Sequence, residues 1–498
     1  ISGFLEFEMT AAHAGMRVDV SYDELLTPEL AVNPERSYAH LTDRYRLPAG
    51  PCAWRSAHPR GFRYVTLDLA GIGEVEITRV AAVEETYPFV RQPSFTIPDE
   101  ELMTFVAKAA ETVRICTTDA FTDCPTRERV QWMEDMYMHS QVAAYTFGDT
   151  RMLRHALFQA AQGALPDGRI NGFFPSERTN CAYAASSLLW LRLLVDYWLH
   201  AGNEDIHQLL PTATRLLGLL DSLTDESGLI ADWPAGQFWD WAPVERSGCL
   251  LLTNAAYAWT LDHLVEHPVF SSLGKDLAVR AARVRQAAHR RCWDASRQLY
   301  RDTPLDDTRS PIYSQQANTL AVLAGVCPAE ERAALLRRII DPALFGPLPI
   351  GEDSLRATTQ PSPDRLVPFG TLWCAHFLCQ ALFATGLDQE AIAQMRALWG
   401  VYADLPTFPE TRIQHGNTGH CHGWAGGPAY LLPAYVLGVQ PVDAGWGSVR
   451  IAPHPGDLTE AWGAFDTPRG RLSVAWIRTG ETLDLRIEAP DDMRIIRM

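Results

Sequence analysis

A long segment with helical periodicity lies between two shorter segments with strand patterns, and this arrangement constrains the fold most. From about residue 97, apolar residues recur at the spacing of amphipathic helices until about residue 436. Successive helical hairpins of this kind can close into a ring of inner and outer helices or stack as an open solenoid, and no sequence period favours the solenoid. The predicted helices cover residues 98–117, 127–147, 150–164, 182–201, 205–223, 249–266, 273–291, 312–325, 329–338, 368–385, 388–399 and 424–436.

The two ends of the chain read as β-structure. Residues 17–22, 62–67 and 75–80 are rich in β-branched and aromatic residues and are separated by Pro, Gly and His turns, which predicts an N-terminal β-sandwich over 1–92. A helical domain over 93–438 follows. Strand patterns then return and predict a small C-terminal β-sandwich domain over 439–498.

Composition disfavours several classes of protein. The net charge of −17 argues against nucleic acid and anionic membranes as partners. The ten cysteines are scattered without CxxC pairs, and no signal peptide pattern is present, so we expect a cytoplasmic rather than a secreted protein. Walker, Rossmann, HExxH and GxSxG motifs are missing from the sequence, so we expect neither cofactor nor metal.

The segment from Asp123 to Asp135 concentrates acids beside a tryptophan. If the predicted helix over 127–147 forms, then Glu128, Trp132 and Asp135 lie at i, i+4 and i+7 on one face. Carboxylates at close range push one pKa upward, as a general acid near neutral pH requires. A solvated helix with scattered acids is the alternative interpretation.

A second acidic candidate is Glu410, which follows Phe-Pro at a loop end. His420, Cys421, His422 and Trp424 come shortly after it, in a glycine-rich stretch typical of a cleft wall at the start of a helix. A zinc site on the His-Cys-His run is disfavoured, because alternate residues of an extended segment point apart and no further pair has ligand spacing. A purely structural role for the histidines stays open.

A third candidate is Asp240, which stands between Trp239 and Trp241. Indole rings can stack on the apolar face of a pyranose while a carboxylate accepts hydrogen bonds from its hydroxyls. A loop packed by tryptophans explains the pattern equally well. Trp190 and Tyr183 have amphipathic helical spacing, and core packing is the simpler explanation for both.

Taken together, these blocks resemble glycoside hydrolase family 78, the bacterial α-L-rhamnosidases. The resemblance rests on Asp123-Cys-Pro-Thr-Arg-Glu-Arg with Gln131-Trp132 and Asp135, and on Phe408-Pro-Glu410 before His420-Cys-His-Gly-Trp424. It extends through the C-terminal block from Gly445 to Gly470 and covers roughly residues 60 to 490. It implies a six-hairpin glycosidase whose (α/α)6-barrel is flanked by β-sandwich domains, and which cleaves terminal α-L-rhamnosides with inversion. Family members often carry further N-terminal β-domains, which we expect this chain to lack.

The resemblance also implies roles for individual residues. Glu128 is similar to the general acid of the family and Glu410 to its general base, while Asp123 and Asp135 resemble the acids that hydrogen-bond rhamnose hydroxyls. Glu134 stands where the family commonly has glycine, which puts substrate choice in question more than the reaction. The remaining residues that the resemblance places at the substrate are Arg127, Trp132, Trp190, Trp239, Asp240, Trp241, His422 and Trp424.

Two other functions stay open from the sequence. The first is another glycosidase built on a helical barrel, including an unsaturated-uronyl hydrolase, although a uronyl substrate calls for a basic subsite. The second is a catalytically silent sugar-binding protein, in which the carboxylates only hydrogen-bond hydroxyls. The partner expected in the first instance is a rhamnose-containing oligosaccharide or glycoside.

Overall fold

The N-terminal β-unit (residues 1–84) consists of two antiparallel sheets around one apolar core. In one sheet β1 pairs with β4, β5 and β7, and in the other β2 lies between β3 and β6. Alternate residues of β1 and β2, among them Phe7 and Val18, face the shared core. The strands are β1 (Ser2–Ala11), β2 (Arg17–Asp23), β3 (Thr42–Arg46), β4 (Gly50–Arg55), β5 (Arg60–Gly61), β6 (Tyr64–Ala70) and β7 (Val75–Glu84).

The computed structural model describes residues 1–36, 39–90, 94–176, 181–274, 276–309, 311–346, 362, 364–412 and 418–498. Across the middle of the chain these residues are mainly helical. Short strands β8 (Phe95–Thr96), β9 (Trp293–Asp294), β10 (Leu299–Tyr300), β11 (Tyr313–Ser314) and β12 (Leu366–Val367) interrupt the helices. The α-helices are α1 (Glu100–Ile115), α2 (Met133–Val142), α3 (Arg151–Gln162), α4 (Ala184–Ala201), α5 (Leu210–Ser222), α6 (Leu251–Val265), α7 (Leu277–Cys292), α8 (Gln315–Leu323), α9 (Arg332–Ile339), α10 (Leu372–Ala384), α11 (Asp388–Trp399) and α12 (Gly427–Leu431).

The even-numbered helices pack on one another in sequence. Helix α2 contacts α4, α4 contacts α6, α6 contacts α8, α8 contacts α10, α10 contacts α12, and α12 contacts α2 again. Every residue of α2 is buried, and α8 and α10 are buried over nearly their whole length. In contrast, α3, α5 and α7 bury one apolar stripe and expose the opposite face. The even-numbered helices are therefore the inner ones.

The helix predicted over 127–147 is wrong in its first part, since α2 begins only at Met133. The residues before it form a loop that two hydrogen bonds between Asp123 and Val130 close. The Asp123 N–H donates to the Val130 carbonyl at 3.0 Å, and the Val130 N–H donates to the Asp123 carboxylate at 3.0 Å. Arg129 has a left-handed backbone with φ of 54°. Side-chain competition for backbone donors and a left-handed residue both oppose a helix here.

The C-terminal strands form two sheets that share the apolar core of the helices. One sheet has the order β13–β14–β18 and the other β17–β16–β15–β8, so that β8, which precedes α1, completes the second sheet. The Trp476 indole N–H donates to the Val436 carbonyl at 3.0 Å across the junction. The strands are β13 (Val439–Pro441), β14 (Ser448–Ile451), β15 (Glu460–Thr467), β16 (Gly470–Thr479), β17 (Thr482–Glu488) and β18 (Arg494–Arg497).

Among the described residues, no helix has both the length and the apolar character needed to cross a membrane. The domain boundaries placed after residues 92 and 438 stay predictions.

Candidate active site

A cleft of about 190 Å³ opens at the end of the helical region where the inner helices begin. Its walls come from the loops that lead into α2, α4, α6 and α12, so residues far apart in sequence converge there. The lining residues are Asp123, Glu128, Trp132, Glu134, Asp135, Tyr183, Phe238, Trp241, Glu410, His422 and Trp424.

The 123–132 loop presents Glu128 at the mouth of the cleft. The loop is closed by Asp123 and Val130, as described above, and Glu128 lies exposed near its tip. The indole N–H of Trp132 donates to Glu128 Oε2 at 2.6 Å and fixes the carboxyl group against the aromatic wall. Glu128, Trp132 and Asp135 thus meet as expected, but through a loop rather than through one helix face.

Glu410 also lines the cleft, on the segment 405–412, and is held as a carboxylate. The Arg127 guanidinium forms an ion pair with Glu410 Oε2, and the Gly419 N–H donates to the same oxygen at 3.2 Å. Burial opposes ionisation, but the charges of Arg127 and His422 outweigh it and lower the pKa of Glu410. A buried carboxylate that stays ionised near neutral pH is suited to accept a proton.

His422 lies among the cleft carboxylates. Its Nδ1 is 3.1 Å from Asp135 Oδ1, and its Nε2 is 3.9 Å from Asp123 Oδ2. Burial disfavours the imidazolium, yet Asp135, Glu410 and Asp123 raise the pKa of His422 to about 9. His422 is therefore a cation at neutral pH and offsets part of the negative charge of the cleft.

Asp123 differs from Glu410, because its pKa is raised rather than lowered. Its complete burial, with smaller contributions from the neighbouring Glu128 and Asp135 charges, raises the pKa of Asp123 to about 7, although His422 opposes this. The Cys124 thiol donates to Asp123 Oδ2 at 2.9 Å. Carboxyl groups with such different pKa values in one cleft are typical of an acid–base site.

Aromatic rings form the other wall of the cleft. Trp132 and Tyr183 are nearly parallel, with ring centroids 6.4 Å apart and planes 8° apart. Phe238 meets Trp241 edge to face at 4.9 Å. The spacing of Tyr183 in the sequence favours core packing, whereas the structure places it in the cleft, directly before α4. Flat apolar rings beside carboxylates suit the two faces of a sugar ring.

Glu134, which stands where the family commonly has glycine, lines the cleft. It is 2% exposed and accepts a hydrogen bond from the Ser186 hydroxyl at 2.8 Å. Burial raises the pKa of Glu134 to about 7, because the Ser186 hydrogen bond compensates only part of the lost hydration. The cleft therefore holds one more carboxyl group than the predicted acid pair with its two aspartates.

Of the residues assigned to the substrate by resemblance, Arg127, Trp190, Trp239 and Asp240 do not line the cleft. Trp190 is fully buried in the core, where its indole N–H donates to the Leu157 carbonyl at 3.2 Å. Trp239 donates to the Thr253 hydroxyl at 3.0 Å and is 3% exposed. Asp240 is buried and accepts hydrogen bonds from the backbone N–H groups of Gly370 at 2.8 Å and Trp241 at 2.7 Å. Trp190 and Trp239 pack the core, and Asp240 shapes the loop that carries Trp241.

Two of the predicted residues contact Glu410. Arg127 forms an ion pair with its carboxylate, and Trp424, which lines the cleft, donates from its indole N–H to the Glu410 carbonyl at 2.9 Å. Among the described residues, a possible metal-binding group consists of His263, Glu266 and His267, whose donor atoms lie within 4.8 Å of one another. This group lies at the far end of α6, away from the cleft.

Family comparison agrees with the fold. Residues 91–341 match the model of the bacterial α-L-rhamnosidase six-hairpin glycosidase domain, which places the helical region in a class of glycosidases. Residues 438–495 match the bacterial α-L-rhamnosidase C-terminal domain. The chain belongs to the bacterial α-L-rhamnosidases of glycoside hydrolase family 78, as its motifs indicated. A search of curated protein sequences finds no match.

Solved structures of rhamnosidases superpose on the whole chain or most of it. A family 78 rhamnosidase from Bacillus sp. GL1 is 27% identical, with a TM-score of 0.85 over 100% of this chain and 52% of its own length. This chain thus spans about half of that relative. A Klebsiella oxytoca rhamnosidase with rhamnose bound has 22% identity and a TM-score of 0.72, over 86% of this chain and 85% of its own. A Streptomyces avermitilis α-L-rhamnosidase complexed with L-rhamnose has 20% identity and a TM-score of 0.71, over 99% and 47%.

Proposed function

We propose that this protein hydrolyses terminal α-L-rhamnosides by a single displacement, with Glu128 as general acid and Glu410 as general base. One observation carries the proposal: the two carboxyl groups line the same cleft in opposite environments. Glu410 is buried and paired with Arg127, whereas Glu128 is exposed at the mouth, where a departing group must leave.

In this mechanism Glu128 donates its proton to the glycosidic oxygen as the bond to the anomeric carbon breaks. Glu410 takes a proton from a water molecule, whose oxygen attacks that carbon from the opposite face and inverts its configuration. Trp132 holds the Glu128 carboxyl in place through its 2.6 Å hydrogen bond. Asp123 and Asp135 are left to bind sugar hydroxyls, and the His422 cation limits the repulsion between the carboxylates.

The sugar class rests on the family and on the size of the cleft. Two of the similar structures, those from Klebsiella oxytoca and Streptomyces avermitilis, contain bound rhamnose. The cleft volume of about 190 Å³ is below the roughly 300–1,000 Å³ of drug-sized sites, and it suits one sugar ring better than an extended chain. An enzyme that removes single terminal residues needs a site of this kind.

The same proposal covers the architecture around the site. The cyclic contacts from α2 through α12 and back to α2 support an (α/α)6-barrel. The common core of the two N-terminal sheets supports a β-sandwich.

The test is release of p-nitrophenol from its α-L-rhamnoside, compared with a panel of other p-nitrophenyl glycosides. We expect activity on the rhamnoside, and proton NMR should show the β-anomer of rhamnose as the first product. Glu128→Gln and Glu410→Gln should each lower kcat by a factor of about 100 or more, whereas Glu330→Gln, an exposed acid outside the cleft, should change nothing.

The rival functions give different results. Hydrolysis of another glycoside in preference to the rhamnoside identifies a different glycosidase. Rhamnose binding without hydrolysis of any glycoside identifies a sugar-binding protein. Release of the α-anomer first contradicts the inverting mechanism while leaving the sugar class intact.

A further inference from the structure

A glutamate of the N-terminal β-unit reaches both loops that carry the proposed acid and base. Glu24 directly follows β2 and is 8% exposed. Its Oε1 accepts a hydrogen bond from the Thr126 hydroxyl at 2.6 Å, and its Oε2 accepts one from the His420 backbone N–H at 2.8 Å. One carboxylate thus connects segments that are 102 and 396 residues away in the chain.

Both contacts lie next to the reacting groups. Thr126 immediately precedes Arg127, which pairs with Glu410, and stands two residues before Glu128. On the other loop, His420 follows Gly419, which exchanges hydrogen bonds with Glu410: the Glu410 N–H donates to the Gly419 carbonyl at 2.9 Å, and the Gly419 N–H donates to the Glu410 carboxylate at 3.2 Å.

Glu24 is itself held rigidly. Asp23 accepts hydrogen bonds from the backbone N–H groups of Glu24 at 2.7 Å and of Leu25 at 3.3 Å, which fixes the turn after β2. Arg36 forms an ion pair with Asp23 and lies 3.8 Å from Glu24 Oε2. A carboxylate with an ordered backbone and a neighbouring guanidinium loses little further entropy when it binds the loops.

Two further contacts place the β-unit against the 123–132 loop. Arg129 donates to the Pro59 carbonyl at 2.5 Å. Gly61 lies so close to Pro125 that a Cβ atom there would be 2.5 Å from the Pro125 carbonyl carbon. The loop is therefore packed on the β-unit along its length, and Glu24 is the contact that extends to the second loop.

We propose that Glu24 is a positioning residue of the active site, which fixes the 123–132 loop relative to the segments 405–412 and 418–424 and so sets the distance between Glu128 and Glu410. This inference rests on the proposed function. It makes the N-terminal β-unit a working part of the site, although no residue of that unit lines the cleft among the described residues.

The reason for a large effect is geometric. An inverting pair must leave room for one water molecule, so a change in the separation of the carboxyl groups affects the reaction directly. A misplacement of about 1 Å can cost about 100-fold in rate. Glu24 contacts neither the aromatic wall nor the sugar-binding aspartates Asp123 and Asp135 directly, since its carboxylate bonds to Thr126 and His420. We therefore expect kcat to fall more than KM rises.

The experiment compares Glu24→Ala and Glu24→Gln in the full chain. The alanine variant removes both acceptors, and we expect kcat on p-nitrophenyl α-L-rhamnoside to fall by about 100-fold with KM changed by less than about 3-fold. Glutamine keeps an oxygen that can accept from the His420 N–H and an amino group that can donate to the Thr126 oxygen. It should therefore restore most of kcat. Thr126→Val, which removes one donor only, should be intermediate.

The matched control is Asp19→Ala in the same β-unit. Asp19 pairs with Arg44 at 2.7 Å and touches neither loop, so its loss affects the β-unit without changing kcat. Hydrogen exchange adds a readout that does not depend on any substrate: the His420 amide should exchange faster in Glu24→Ala than in the wild type or in Asp19→Ala.

The outcomes separate the two proposals. If wild-type protein lacks rhamnosidase activity but Glu24→Ala speeds exchange at His420, the contact of Glu24 with both loops is supported and the proposed function is contradicted. If wild-type protein is active and Glu24→Ala matches it in kcat, the positioning role is overturned. If Glu24→Ala does not fold, an unchanged kcat in Thr126→Val overturns it, and a lowered kcat supports it.

Discussion

Replacement of Arg127 by methionine should move the acidic limb of the pH–activity profile upward. Arg127 and Glu410 form an ion pair with side chains only 9% and 7% exposed, so water screens the pair little. Methionine keeps much of the side-chain volume but removes the charge. Glu410 then becomes a buried carboxylate with one cationic neighbour, His422, instead of two.

The magnitude follows from the interaction that is lost. Two unit charges about 4 Å apart interact by about 4 kcal/mol at an effective dielectric constant of about 20, and one pKa unit corresponds to about 1.4 kcal/mol. The His422 cation and the Gly419 N–H remain and compensate part of the loss. We therefore expect the acidic limb of kcat/KM to rise by at least about one pH unit.

The lowered pKa of Glu410 also makes the stability of the fold depend on pH. Because the pKa of Glu410 is lowered in the folded state, the ion pair stabilises the fold above the unfolded pKa of about 4.3, and this contribution disappears as the pH falls through the folded value. Arg127→Met should therefore be less stable than the wild type at pH 7, and the difference should shrink in acid.

The assay is kcat/KM for p-nitrophenyl α-L-rhamnoside between pH 3.5 and 8. Arg127→Lys retains a positive charge and should move the limb much less. Arg154→Met, which breaks an ion pair with Asp205 on the surface, should leave the limb unchanged. An Arg127→Met enzyme with the wild-type acidic limb would show that Glu410 is not the group that titrates there.

The remaining predictions concern single side chains. Trp190→Phe should lose about 0.5–1.5 kcal/mol of stability, because the hydrogen bond from the indole N–H to the Leu157 carbonyl is lost while that carbonyl keeps its helical partner in α3. We expect kcat/KM to be unchanged, and a selective rise in KM would place Trp190 at the substrate after all. Glu134→Gln should become more stable relative to the wild type as the pH rises from 4.5 to about 7, by on the order of 3 kcal/mol, because it removes the cost of ionising a buried acid. Thermal melts of both proteins at pH 5 and 8 test this, and a stability difference between them that is the same at both pH values contradicts it. The wild type should lose stability between pH 6.5 and about 9, because a raised imidazole pKa stabilises the fold only while the ring is protonated. His422→Asn should not show this loss, and denaturant titrations of both proteins across that pH range test the prediction.

Much of the fold follows from local pattern in the sequence. Helices such as α4 and α7 start and end within a few residues of the predicted limits, because long apolar stripes with 3.6-residue spacing are strong signals. The family assignment is confirmed as well. The start of α2 was misjudged, because the hydrogen bonds between Asp123 and Val130 compete with helix formation and cannot be read from periodicity.

The residues of the site, like the fold, are predicted only in part by the sequence. Glu128, Trp132, Asp135, Glu410 and His422 were singled out from residue types and motif spacing, and the structure brings them to one cleft. The sequence does not distinguish core residues from cleft residues when the two are close together in the chain. Trp239 and Trp241 are two positions apart, yet one packs the core and the other lines the cleft.

By itself, the sequence determined which chemistry this protein can perform: carboxyl groups, aromatic rings and a histidine in motifs whose residue types need no tertiary knowledge to recognise. Tertiary structure alone decided in which direction the pKa values of Asp123, Glu410 and His422 shift, because burial and the neighbours that raise or lower a pKa come from segments hundreds of residues apart, as with Arg127 and Glu410. It alone also decided that Glu24 contacts both loops, since long-range contacts depend on how the chain packs and leave no local pattern in the sequence.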